Sequence, residues 1–195
     1  MKKVAVVGYG NTKFTKDELP IESLLLESTK QVFDTTKNLS QDLIDGVIFY
    51  LRPKSEIKST LASMQNQKKI DASLQIITCV NEDSEKAMIR AKKTLAFYVS
   101  VGKIYREFLA SNGFENETKN IFEEYEKNGL QNNHEFVPES MLNELCIAGT
   151  SDECRIQLKQ FRETGIDLPI IQFNPTDNVE DSFDLVTSTF SEGCD

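Results

Sequence analysis

Residues 47–80 read VIFYLRPKSEIKSTLASMQNQKKIDASLQIITCV. VIFYL (47–51) is a short apolar run with strand character, and SLQIITCV (73–80) is a longer one rich in β-branched residues. Between them Pro53 opens PKSEIKSTLASMQNQ, whose composition predicts a helix, and residues 69–71 break it. The order is strand, helix, strand.

The same alternation extends in both directions. Upstream, KKVAVVG (2–8) is a continuous apolar run ending in glycine, which fits a strand buried on both faces. From Pro20, Ile21, Leu24, Leu25, Val32 and Phe33 share one helical stripe. Residues 2–51 therefore predict a right-handed, parallel β-α-β unit. Downstream, NEDSEKAMIRAKKTLAFYVSV has an acidic start and basic later turns, as a helix dipole favours. GKIYREFLASNGF continues in helix with a stop at Gly113, ENETKNIFEEYEKNG is a further amphipathic helix ended by glycine, and Pro138 starts a short one. IAG (147–149), TSDECRIQLKQFRETG, DLPIIQFNP and NVEDSFDLVTSTF then predict strand, helix, strand and closing helix. The expectation is an α/β chain with about five parallel strands and a helical excursion between residues 82 and 145.

Composition narrows the function. The 195 residues carry 31 acidic against 22 basic side chains, a net charge of −9. Such a chain has no bulk attraction for nucleic acid or an anionic membrane. No run approaches the roughly 18 consecutive apolar residues of a membrane span, and VAVVG is too short for a secretory signal. A cytoplasmic protein with reduced thiols is expected. Cys79, Cys146, Cys154 and Cys194 form no C-x-x-C pair, and His134 is the only histidine, so no metal site is expected. Cys79, inside LQIITCV, reads as a core residue. His134, in the polar stretch LQNNHEFVP, reads as a surface side chain.

Two glycine-bearing turns are candidate phosphate cradles. In GYG (8–10) the third glycine of a dinucleotide fingerprint falls on Lys13, which leaves a tight turn. AGTSDE (148–153) follows a strand and opens a helix, so Gly149 and Thr150 are candidates for a cofactor phosphate contact. Thr150 with Glu153 is also an ordinary capping box, and Asp152 repels phosphate, so both readings stay open. No catalytic residue is singled out.

The stretches VIFYLRPKSEI, ITCVNEDSEKAMIRAKKTLAFYVSVGKIYREFLASNGF and VPESMLNELCIAGTSDECRIQLKQFRETGIDLPIIQFNP recur in this order in another family. On them, residues 47–190 resemble the C-terminal part of the luciferase-like, flavin- or deazaflavin-dependent oxidoreductases. VAVVGYGNTKF, the helix after it and LSQDLIDGV resemble the start of the thiolase family over residues 1–47. IDGV fits both patterns, so residues 45–48 read as a join, the two parts packing as one domain. The thiolase-like resemblance brings no nucleophilic cysteine motif. The luciferase-like one implies a partial (β/α) TIM-barrel-like arrangement, FMN or the deazaflavin coenzyme F-420 as cofactor, and hydride transfer to or from a small molecule. A closed barrel needs eight strands, so a non-catalytic fragment that forms a homo-oligomer or pairs with a partner barrel is the alternative. A thiolase-like acyl-CoA accessory protein is the third reading.

Overall fold

The computed structural model describes residues 21–36, 46–64 and 71–191. The chain divides into two compact units, Met1–Asp45 and Gly46–Asp195. In the first, helix α1 spans Ile21–Thr35, where the stripe after Pro20 predicted it. The expected strand 2–8 and the GYG turn lie outside the described residues, as does the first residue of the expected join 45–48.

The second unit is built on β2, Asp71–Val80. Its run of β-branched residues suits an extended strand, and all but Asp71 and Gln75 are buried. Three strands pair with it, all parallel. β1 (Gly46–Tyr50) lies against Asp71–Gln75, β3 (Cys146–Gly149) against Ile77–Val80, and β4 (Leu168–Phe173) against Ser73–Thr78. Ser73, Leu74 and Gln75 thus have partners in both β1 and β4, and Ile77 and Thr78 in both β3 and β4. β1 and β3 therefore occupy one edge of β2 in tandem, and β4 takes the other.

The handover on the shared edge occurs at Leu51. This buried residue has φ 50°, the left-handed region that side chains other than glycine rarely enter. It turns the chain off the sheet after Tyr50, and α2 (Lys54–Met64) begins with the Pro53 carbonyl accepting from Glu56 and Ile57 N–H at 3.1 Å each. β3 pairs where β1 has left. The α/β order, parallel strands and helical excursion match the sequence expectation. The pairing order does not follow the chain, because β4 joins β2 and not β3. β3 has only four residues, and Pro169 in β4 suits an edge strand since it has no N–H to give.

Both faces of β2 are covered, as a parallel sheet requires. On one face Ala72, Leu74, Ile76 and Val80 pack with Ile57 and Leu61 of α2, Cys154, Leu158 and Phe161 of α7 (Ser151–Arg162), and Val186 of α8 (Val179–Ser191). Paired residues of parallel strands point to the same side. Gln172, opposite Ile77, and Tyr50, opposite Gln75, therefore point to the other face. There they meet Tyr98 of α3 (Ser84–Val101). Ala87, Ala91, Leu95 and Val99, one turn apart, form the wholly buried stripe of α3. The two alanines let its first half approach closely.

The excursion continues through α4 (Lys103–Leu109), α5 (Glu115–Asn128) and α6 (Glu139–Leu145). Gly113, expected as a stop, is a bend with φ 93°, after which α5 resumes at once; Gly129 does end α5, with φ 73°. Arg106 joins three helices. It donates to the carbonyls of Val99 and Ser100 at the end of α3 (2.8 and 3.1 Å) and lies 3.6 Å from the Phe122 ring centroid. His134 sits in a 3-10 turn, Asn133–Phe136, and is half-buried, with its Nδ1 buried and unpartnered.

Gly102 separates α3 from α4. A Cβ there would stand 2.6 Å from the Tyr105 ring and 2.8 Å from the Tyr98 carbonyl oxygen. Gly102→Ala is expected to cost about 1–3 kcal/mol in urea unfolding; an unchanged midpoint would contradict this packing. Burial, and then Lys93, hold the His134 imidazole below its ordinary value. Its contribution to stability is complete above about pH 6.5 and is lost as pH falls through the lowered folded value. Between pH 7 and pH 5 the protein should lose more stability than His134→Gln; parallel curves would refute the assignment.

Candidate functional site

The carboxyl ends of parallel strands are where α/β folds present ligand-binding loops. Asn81, directly after β2, ties three such ends together. Its N–H donates to the Gly149 carbonyl (3.0 Å), and its Nδ2 to Thr176 Oγ1 (2.8 Å) and Asp177 Oδ2 (2.7 Å). Its Oδ1 accepts from the N–H of Asp83, which caps α3 by accepting from the N–H groups of Glu85 and Lys86.

Beside Asn81 lies a cleft of about 710 Å³. Glu82, Asp83, Asp177, Asp181 and Asp184 line it against the one ammonium of Lys86. This excess of carboxylates disfavours a phosphate. Among the described residues no group of histidines, cysteines and carboxylates has metal-binding geometry.

Gly149 and Thr150 come together at the end of β3, where the sequence placed a candidate phosphate contact. The Thr150 N–H and hydroxyl both donate to Glu153 Oε2 (2.7 and 3.0 Å), and Ser84 Oγ of α3 donates to the same oxygen (2.8 Å). The Thr150 backbone N–H, then the Ser84 hydroxyl, hold the Glu153 carboxyl below its ordinary value. Gly149 has φ 147°, and a Cβ there would come within 2.5 Å of Glu153 Oε2. The capping box is thus formed, and a carboxylate occupies the donors that an external anion would use.

Of the described cysteines, Cys154 reaches the first cluster, its Sγ donating to the Gly149 carbonyl (3.5 Å). Cys79, Cys146 and Cys154 are buried, Cys79 in the core as expected, and Cys194 lies outside the described residues. Burial pushes the thiols of Cys79 and Cys154 up to about 12 and raises that of Cys146. None supplies a thiolate near neutral pH.

A second polar cluster, not singled out in the sequence, lies on the α3 side of the sheet. The rings of Tyr50, Tyr98 and Tyr105 meet edge to face, with centroids 5.6–5.9 Å apart. Gln172 Nε2 donates to the Tyr98 hydroxyl (3.2 Å), while Gln172 Oε1 is buried without a partner. Burial, then a hydrogen bond with Tyr98, raises the Tyr50 phenol far above its ordinary value. The one sequence signal for this cluster is a glutamine inside the apolar run PIIQF.

The family model for luciferase-like monooxygenases matches residues 34–168. No curated protein matches the chain. Among solved structures, the coenzyme F420 dependent tetrahydromethanopterin reductase from Methanopyrus kandleri is similar over 73% of this chain and 43% of its own, with 16% identity and a TM-score of 0.59. An F420-dependent secondary alcohol dehydrogenase in complex with an F420-acetone adduct is similar over 74% of this chain and 42% of its own, with 16% identity and a TM-score of 0.47. The chain therefore spans less than half the length of these two structures. The likeness to the reductase supports the partial-barrel fold, and the family match carries the assignment: the chain belongs to the luciferase-like monooxygenase family.

Proposed function

We propose that this chain is a luciferase-like oxidoreductase derivative that moves a hydride with a deazaflavin or a flavin, coenzyme F-420 or FMN. The observation that carries the reading is the family match over residues 34–168. Hydride chemistry is the cofactor ring's own, and the protein's part is binding, orientation and electrostatics. Such chemistry needs no catalytic triad from the protein.

The chain's own residues bear on the fit in two places. At the end of β3, Gly149 and Thr150 would meet the cofactor phosphate with the Thr150 N–H and hydroxyl, at the N-terminus of α7. For this, Glu153 must first swing away. In exchange the phosphate would gain the donors that now hold a carboxylate. Near the end of β4, Gln172 Oε1 is a buried acceptor ready for a ring N–H.

The rest of the pocket would come from a second copy or a partner barrel. Among the described residues β1 and β4 pair only with β2, so each has one unpaired edge, while the outer edge of the buried β3 is capped at Ala148 by the Gln157 amide. Unpaired strand edges favour association. The family match begins at residue 34, inside the segment read as thiolase-like, so a thiolase-like origin is proposed only for the residues before it.

The test is titration of the purified protein with FMN and with coenzyme F-420, followed by equilibrium dialysis. The expected result is saturable micromolar binding of at least one, about −8 kcal/mol. Folded protein that binds neither would overturn the reading. Glu153→Ala, at about 1 kcal/mol of lost helix capping, should tighten FMN but not riboflavin. An equal response of the two would refute the phosphate contact at Gly149 and Thr150.

A further inference from the structure

We propose that Gln172, framed by Tyr50, Tyr98 and Tyr105, receives the imide edge of a flat fused heteroaromatic ring, the edge that flavins and deazaflavins share. This rests on the oxidoreductase reading above and names a ring subsite for it.

The argument starts from donors and acceptors. An imide edge presents carbonyl, N–H, carbonyl. Its complement is an acceptor flanked by donors. Gln172 Oε1 is such an acceptor, buried and without a partner, which is rare for a buried polar atom. Its own Nε2 lies beside it and now donates to the Tyr98 hydroxyl at 3.2 Å. The Tyr98 hydroxyl that accepts this bond carries a proton of its own to give. Two kinds of donor, amide and phenol, therefore stand next to the orphan acceptor.

Position and surroundings agree. Gln172 is the last residue but one of β4, and Tyr50 the last of β1, so both lie toward the carboxyl ends of parallel strands. Register turns them to the same face. The three half-buried tyrosine rings supply aromatic surface. Oε1 is buried and Nε2 is bound to Tyr98, so a ligand reaches the amide when Tyr98 turns aside. The bond that Gln172 Nε2 then loses is replaced by one to a ligand carbonyl.

The protein contains no tryptophan and five tyrosines, three of them in this cluster. Tyrosine emission therefore reports on it directly. The probes are lumiflavin, its N3-methylated form, and the corresponding deazaflavin ring, none of which carries phosphate. Lumiflavin or the deazaflavin ring should quench saturably, and the better binder of the two identifies the source. N3-methylation should weaken lumiflavin about tenfold, or 1.4 kcal/mol. In Gln172→Leu, checked for an unchanged melting transition, that discrimination should vanish. Equal binding of methylated and unmethylated rings to the wild type needs no variant and would overturn the proposal. So would full discrimination in Gln172→Leu, or no quenching by any ring. If FMN or F-420 binds while the bare rings do not, this subsite falls and the oxidoreductase reading stands. If nothing binds, both fall.

Discussion

The structure depends on the burial of one strand. β2 is buried along nearly its whole length, so its backbone needs partners on both edges and its side chains need cover on both faces. Four described strands and the flanking helices are arranged to meet that demand. β1 serves the first half of one edge, β3 the second half, and β4 the other edge. α2, α7 and α8 cover one face and α3 the other. The left-handed turn at Leu51 makes the shared edge work, since β3 pairs only where β1 has left.

This arrangement separates two chemical environments. At the carboxyl ends of the strands, Asn81, Thr150 and Glu153 hold the loops together, and the adjoining cleft is rich in carboxylates. On the face under α3 the Arg90 guanidinium is held by the Pro175 carbonyl and the Thr94 hydroxyl, and one acceptor, Gln172 Oε1, is left over. The first environment suits capping and loop fixation. The second suits a neutral, hydrogen-bonding aromatic ring. A cofactor that joins a phosphate to such a ring, as proposed for this chain, would draw on both, one at β3 and one at β4.

Much of this was legible in the sequence because it is local. The β-branched run ending in Cys79, the glycine after Asn128, the acidic start of α3 and the Thr150–Glu153 spacing all act within a turn or a strand, and each appears where expected. Gly149 and Thr150 stand out in the sequence as a candidate pair for the same reason. The pairing of β4 with β2 was not legible, since it follows from the shortness of β3 and the conformation of Leu51. Gln172 was missed because its significance comes from Tyr50 and Tyr98, which are distant in sequence and near only through register. Gly113 has the look of a terminator because sequence shows its conformational freedom but not whether the next helix restarts at once.

The most direct test of the account is the neighbour of β4, read by NMR contacts between backbone protons of adjacent strands. The structure predicts contacts between Ile171 and Ile76 and between Gln172 and Ile77, together with contacts from the Tyr98 ring to the Gln172 side chain. Contacts from β4 to Cys146–Gly149 instead, with Tyr98 far from Gln172, would give a sheet ordered as in the chain and would contradict the arrangement on which both the fold and the ring subsite rest.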